Sequence, residues 1–424
     1  MNQSPMANVD SIDSTAQQHL DQQHIETQFK LASLWLTKGK FERAISGYRA
    51  ILALQPTHKE AALFLDHALQ QQDQDSLCQR QNYAEEGSNK TILPLNPTGK
   101  ISLTHQKVFG AHRCGWSYAI QALKPLHNSS GILFDGYLEN SFIWKHYQPG
   151  QVRTPYRQPW VGFLHNPPAM PSWFYPQQSP QTLMATSEWQ QSLEHCVGLF
   201  CLSNYQAQWV RKQTGKPVSV LIHPTEIPEQ LFDFDQFMQN SQKKIVQLGW
   251  WLRQITAIQR LPIRSKNALG YEKIRLNPAF TIDSDAQLQA LAEAEIMAEK
   301  VCFNPDFVAN TREVSHLCNA DYDQLLCENI GFIALHDTSA NNAVIECIAR
   351  TTPLLVNPLP AIIEYLGKDY PLYFETLAEA AQKAQDLKRI EAAHQYLKTC
   401  PTRKKLSAEY FRQSFQTSSV YQSI

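Results

Sequence analysis

The sequence predicts an α/β protein built from two Rossmann-like domains preceded by a small all-α helical hairpin module. Three observations carry this. From about residue 101, short apolar runs alternate with amphipathic segments, the pattern of strands joined through helices into a parallel sheet. The alternation pauses once, over a polar stretch at 226–244, and then resumes as a second series. Ahead of both, residues 25–75 space their apolar residues three and four apart, the period of helices. A chain of 424 residues is long enough to bury two or three full cores.

Taken in order, residues 1–24 are rich in Gln, Ser and Asp and are expected to be disordered. In the helical module at 25–75, Leu31, Ala32, Trp35, Gly39, Phe41, Ala44, Tyr48, Ile51, Leu54 and Pro56 follow a spacing that resembles one tetratricopeptide repeat. Small Ala32 and Ala44 let two helices approach, Gly39 turns the chain and Pro56 stops the second helix. A lone repeat cannot bury both of its faces, so this module is expected to dock on the main domain, on a protein partner or, by self-association, on a second copy of the chain. Residues 76–97 read as a polar linker.

The N-terminal Rossmann-like domain, 98–225, carries strand candidates at ISLT (101), GILFDG (131), WVGFLH (160), GLFCLS (198) and VSVLIH (218), with helices at Ser117–Leu126 and Ser187–His195. Residues 226–244 are the hinge. The C-terminal Rossmann-like domain, 245–389, offers strands at KIVQLGW (244), EKVCFN (299), GFIALHD (331), PLLVN (353) and PLYF (371), with helices at Ala286–Ala298, Asn341–Arg350 and Leu377–Ala384. Residues 390–424 close the chain as a helix and tail.

Several function classes are disfavoured. With 38 basic and 39 acidic residues the formal net charge is -1, which lacks the basic excess that nucleic-acid binding needs. The nine cysteines contain no C-x-x-C pair, so zinc spacing is absent and they read as buried thiols in a reducing cytoplasm. The first residues lack the charged and apolar regions of a signal peptide, and no apolar run is long enough to span a bilayer. The expected location is cytoplasmic, with a peripheral membrane role left open. There is no G-x-G, and Gly110 and Gly115 are followed by Trp116-Ser117 rather than by the lysine of a P-loop. The D-x-D pairs Asp233/Asp235, Asp283/Asp285 and Asp321/Asp323 are as frequent as chance allows, and no metal is expected.

Residues 330–374 hold the strongest signal. Ser339 is expected to cap a helix on which Asn342, Glu346 and Arg350 stand four apart and share a face. A helix start of this kind suits a diphosphate, and a carboxylate further along it can accept from ribose hydroxyls. Arg253 stands in the loop after KIVQLGW, a cation just past a strand end. His165, at the end of WVGFLH and facing the expected cleft, could act as a base or hydrogen-bond a substrate. Asp135 or Glu139, in FDGYLEN, are alternative bases, and Trp173 and Phe174 could stack on a sugar ring.

The segment HDTSANNAVIECIARTTPLLVNPLPAIIEYLG, residues 336–367, resembles the donor site of GT-B glycosyltransferases, in a variant seen in bacteria and large viruses. The resemblance spans most of residues 100–380. It implies metal-independent transfer from a nucleoside-diphosphate sugar, with no separate cofactor, to a sugar, lipid or protein acceptor. By the same resemblance Glu346 would hold the donor ribose, Ser339, Asn341 and Asn342 would touch sugar and phosphates, and Arg253 would grip the diphosphate. Eight residues before Glu346 stands Thr338, where the common retaining pattern has a second Glu. The alternative reading is a non-catalytic scaffold of the same architecture with a protein-interaction module.

Overall fold

The computed structural model describes residues 25–33, 35–36, 41–66, 68–69, 99–104, 106, 114–145, 152–263, 269–277, 284–304, 311–315, 317 and 319–424. The chain divides into two compact units, 1–88 and 89–424. Residues 1–24, Gly39 and the linker at 76–97 lie outside the described residues.

The first unit is helical where described. Helix α1 (Phe41–Leu54) buries Ala44, Ile45, Tyr48 and Ile51 in one cluster with Ile25, Ala32 and Ala61. The neighbouring helical stretches are 25–33 and 59–66. Gly47 permits the close approach, since a Cβ there would stand 2.8 Å from the Cβ of Ala32.

The second unit contains two parallel sheets. The first runs β1 (Ile101–Ser102), β2 (Ile132–Asp135), β3 (Trp160–Phe163), β4 (Cys196–Cys201) and β5 (Val218–Val220), in that order. Alternate residues face opposite sides, as a strand's pleat requires. Phe134, Val161, Phe163 and Phe200 join one core, whereas Leu133, Trp160, Leu199 and Cys201 join the other. Helix α2 (Trp116–Leu123) continues as a 3-10 turn over Lys124–Leu126, matching the expected helix at Ser117–Leu126 in two pieces. The expected helix at Ser187–His195 spans Ser187–Glu194. Helix α3 (Asn204–Thr214) was not foreseen; the Ser203 hydroxyl caps its start and Gly215, at φ 66°, ends it.

The second sheet contains β6 (Lys244–Gln247), β7 (Glu272–Asn277), β8 (Thr311–Ser315), β9 (Ile330–Ile333) and β10 (Leu354–Val356), ordered β10-β9-β6-β7-β8. The order reverses at β6, which pairs β7 on one side and β9 on the other. Crevices at the carboxyl ends of strands on either side of such a reversal are where open parallel sheets bind ligands. Around this sheet lie α4 (Ser284–Glu299), α5 (Asn319–Cys327), α6 (Asn342–Arg350) and α7 (Pro360–Leu366).

Two expected strands are corrected. EKVCFN at 299 is not a strand, because α4 runs through Glu299 and the chain then turns at Lys300, whose φ is 51°. PLYF at 371 makes only a single bridge, Val356 with Tyr373. The sheet instead contains β7 and β8, on the far side of β6 from β9 and β10, which the sequence reading passed over.

The chain's last part serves both halves of this unit. Helices Leu377–Gln385 and Leu387–Thr399 pack on the second sheet through Ala380, Ala384, Ile390 and Leu397. Helix α8 (Ala408–Thr417) then crosses to the first sheet, where Phe415 stacks on Phe200 at 4.7 Å between centroids. The halves also meet directly. The Tyr365 hydroxyl donates to the Leu202 carbonyl at 2.9 Å, and Glu364 accepts the backbone N–H groups of Asn204 and Tyr205 at 2.6 and 2.7 Å. Among the described residues, no helix is long and apolar enough to cross a membrane.

Candidate active site

The loops after β6 and β9 meet where the second sheet reverses its order. After β6 the chain passes Leu248 and Gly249 and turns back so that Arg253 bridges Leu335, just past β9. Gly249 has φ 72°, and a Cβ on it would lie 2.9 Å from Arg253 Nη2, so only glycine leaves the guanidinium its place. Arg253 is 8% exposed. Its Nε donates to the Leu248 carbonyl at 3.0 Å, Nη1 to the Trp251 carbonyl at 2.6 Å, and Nη2 to Asn341 Oδ1 at 3.0 Å. Burial lowers its pKa to about 10, against an upward pull from Tyr322 and Glu346, so it stays cationic at neutral pH.

Helix α6 begins beside this guanidinium. The expected cap at Ser339 is corrected: the cap is Asn341, whose Oδ1 accepts from Val344 N at 3.3 Å as well as from Arg253. Asn342, the first helical residue, is exposed, and every later residue of the helix is buried. Glu346 is 2% exposed and its Oε2 accepts from the Tyr322 hydroxyl at 2.5 Å. Burial, then the nearby Glu346 charge, drives the Tyr322 phenol well above its usual range, which keeps it a donor. Arg350 does not form a surface pair with Glu346. It is buried and donates through Nε and Nη2 to Asp323 Oδ1, at 3.1 and 2.5 Å. This also accounts for Asp323 of one D-x-D pair, and Asp233 of another caps the helix Phe234–Gln239. Among the described residues, no group of three or more His, Cys, Asp or Glu is placed to hold a metal ion.

From the first half, His165 arrives at the end of β3. Its ring packs edge-on against Trp116 at 4.4 Å and beside Tyr137 at 4.3 Å. Its Nε2 lies 3.0 Å from the Gly136 carbonyl, which can only accept, so the proton sits on Nε2 and Nδ1 is left with its lone pair. Burial lowers its pKa to about 3, so the ring is neutral. Across the seam, the Ser339 hydroxyl donates to the His165 carbonyl. The geometry thus joins His165 with Ser339, and Arg253 with Asn341, while Glu346 acts on Arg253 through its charge. Asp135 stands one residue from Gly136 but spends its carboxylate locally, Oδ1 on Tyr137 N at 2.9 Å and Oδ2 on the Tyr156 hydroxyl at 2.8 Å.

One carboxylate at the seam escaped the sequence reading. Asp337 accepts from Ala169 N at 2.7 Å and from the Tyr205 hydroxyl at 3.2 Å, both in the first half. Its position gave no local signal, since its partners are 168 and 132 residues away. Nearby, Tyr175 stacks on Trp251 at 5.7 Å, and Trp173 meets His336 edge-on at 5.1 Å, so aromatic residues close the seam beside the Arg253 loop.

No protein-family model and no curated protein matches the chain. Among solved structures, it is similar to an α,α-trehalose 6-phosphate synthase from Burkholderia multivorans, at 14% identity over 72% of this chain and 75% of that one, with a TM-score of 0.43. A UDP-forming α,α-trehalose-phosphate synthase from Burkholderia xenovorans is also 14% identical, over 70% and 76%, with a TM-score of 0.42. The Anabaena protein HepE, in complex with UDP and glucose, is 11% identical over 61% and 71%, with a TM-score of 0.45. At these scores the likeness is loose.

Proposed function

We propose that this chain is a glycosyltransferase that uses a nucleoside-diphosphate sugar, without a metal, and passes the sugar to a sugar, lipid or protein acceptor in the cytoplasm. One observation carries the reading. At the point where the second sheet reverses order, the Arg253 guanidinium is held by three hydrogen bonds beside the start of α6, and the charge of the buried Glu346 helps to keep it cationic against the effect of burial. A fixed cation and free helix N–H groups suit a diphosphate, and a carboxylate one turn further suits a ribose.

In this reading the second half holds the donor and the first half the acceptor. As the anomeric carbon–oxygen bond breaks, negative charge grows on the departing diphosphate and Arg253 meets it. Ser339, Asn341 and Asn342 border the same space. The acceptor oxygen forms the new bond to the anomeric carbon and its proton passes to the departing diphosphate, while His165 Nδ1 accepts a hydrogen bond from a hydroxyl of the acceptor or of the donor sugar. Asp135 supports this from behind by holding the turn that carries Gly136. The helical unit recruits a protein partner or a second copy. The seam contacts between the halves also support a scaffold reading, and nucleotide release decides between them.

The test is to offer UDP- and GDP-sugars and measure nucleotide release, then repeat with Glu346→Ala. Release that falls at least about tenfold in the variant is expected from losing one buried polar contact to the donor. If no sugar nucleotide binds, or the variant performs like wild type, the proposal fails.

A further inference from the structure

We propose that Glu139 is a positioning residue, whose carboxylate fixes the turn at His165 and Asn166 and so sets how the first half meets Ser339. The contact geometry stands by itself; only its consequence for donor binding rests on the function proposed above.

Glu139 is fully buried, in the short helical stretch that follows β2. Its Oε1 accepts two successive backbone N–H groups, from His165 at 2.7 Å and Asn166 at 2.6 Å. These amides lie just beyond the β3–β4 ladder, whose last bond from this strand end is Leu164 N to the Phe200 carbonyl. Past that point the sheet supplies no acceptor, and a buried N–H left unmet costs about 1–3 kcal/mol. One side-chain oxygen replaces the missing strand partner for both.

The same turn is tied on other sides. Asn166 Nδ2 donates to the Gln178 carbonyl at 2.8 Å, and the Asn166 carbonyl accepts from Gln206 Nε2 at 2.9 Å. The His165 carbonyl accepts the Ser339 hydroxyl from the other half. Glu139 therefore sits behind the one peptide that presents both the His165 ring and the acceptor for Ser339. With Oε1 committed and Oε2 buried without a hydrogen-bond partner, Glu139 is not placed to take a proton from a substrate. The ionisable groups facing it are Asp135 on β2, Tyr137 beyond it and Cys201 on β4.

The experiment is hydrogen exchange by mass spectrometry on the full chain, following the segment 163–170. Glu139→Ala should speed exchange at His165 and Asn166 by about tenfold or more, while Glu139→Gln, which keeps an acceptor oxygen, should stay within about threefold of wild type. The segment 196–201, on β4, reports whether the fold is intact. Unchanged exchange at 165–166 in an intact alanine variant overturns the proposal. If that variant does not fold, Glu139→Asp, one methylene shorter, replaces it, and protection equal to wild type in that variant overturns it too. UDP titrated into the same proteins separates the two proposals. Weaker UDP binding by the alanine variant supports the link to the donor site. No UDP binding even by wild type counts against the glycosyltransferase reading and leaves the exchange result to decide the role of Glu139.

Discussion

The side-chain oxygen of Asn341 serves two masters: it accepts from Val344 N at 3.3 Å, capping α6, and from Arg253 Nη2 at 3.0 Å. Helix start and guanidinium are therefore fixed by one atom. Asn341→Ala should destabilise the protein by about 1 kcal/mol through the lost cap and weaken UDP binding about tenfold by releasing Arg253. Asn341→Asp should keep the cap, with stability within about 0.5 kcal/mol, yet weaken UDP binding at least as much, because a carboxylate occupies the cation. Thermal unfolding and calorimetric titration of both variants check this. UDP binding by the aspartate variant at wild-type strength would contradict it.

The pair Arg350–Asp323 makes a stability prediction. Arg350 is 1% exposed, so deleting its partner leaves a buried charge. Asp323→Ala should cost about 3 kcal/mol in urea unfolding. The double variant Arg350→Met, Asp323→Leu should recover most of that, because removing both charges also removes their desolvation cost. A single-variant loss below about 1 kcal/mol would show that the pair is not buried as described.

Two buried groups should give opposite pH dependences. His165 has its pKa lowered to about 3 by burial, so below about 6.5 the unfolded chain takes up a proton that the folded chain refuses. Its contribution to stability is present at neutral pH and falls as the pH drops. Glu139 has its pKa raised to about 7, chiefly by burial. Its contribution is full below about 4.5 and falls as the pH rises through 7. Measured by urea unfolding from pH 5 to 8, wild type should lose ground to His165→Asn on the acid side and to Glu139→Gln on the alkaline side. Slopes of the same sign would refute one of the two assignments.

In the helical unit, alanine in place of glycine normally stabilises a helix by about 1 kcal/mol. At Gly47 the sign should reverse, because the added Cβ would stand 2.8 Å from Ala32 Cβ. Gly47→Ala should raise hydrogen exchange across 41–54, and adding Ala32→Gly should reverse the rise. A protected single variant would mean that the two helices do not approach this closely.

The first sheet was legible because its five strands are apolar runs such as GLFCLS, buried on both faces. The second was legible only in part. β7 and β8, EKIRLN and TREVS, alternate charge with apolar residues and match no buried run. Their charges pair across strands instead, Arg312 with Glu272 at 2.6 Å and Arg275 with Glu313 at 2.5 Å. EKVCFN looked like a strand because apolar residues follow the helix end, a place where periodicity cannot tell the two apart. In the site, Arg253 stood out because it follows the apolar run KIVQLGW, and Glu346 because it falls four residues from both Asn342 and Arg350 on a helix of otherwise apolar residues. Glu139 was seen only as an alternative base and Asp337 not at all, since their roles depend on backbone groups 26 to 168 residues away. Such pairings leave no local pattern.

Helix α8 fills the first sheet's core with Phe411 and Phe415 only after the whole second sheet has been threaded. A polypeptide made from its N-terminus on the ribosome must therefore hold one face of its earlier half open, with Phe200 lacking its partner Phe415, until residues 408–417 have been made. The order of synthesis and the order of completion run opposite ways, so a premature stop before residue 408 would strand the N-terminal half with a greasy surface for chaperones to find.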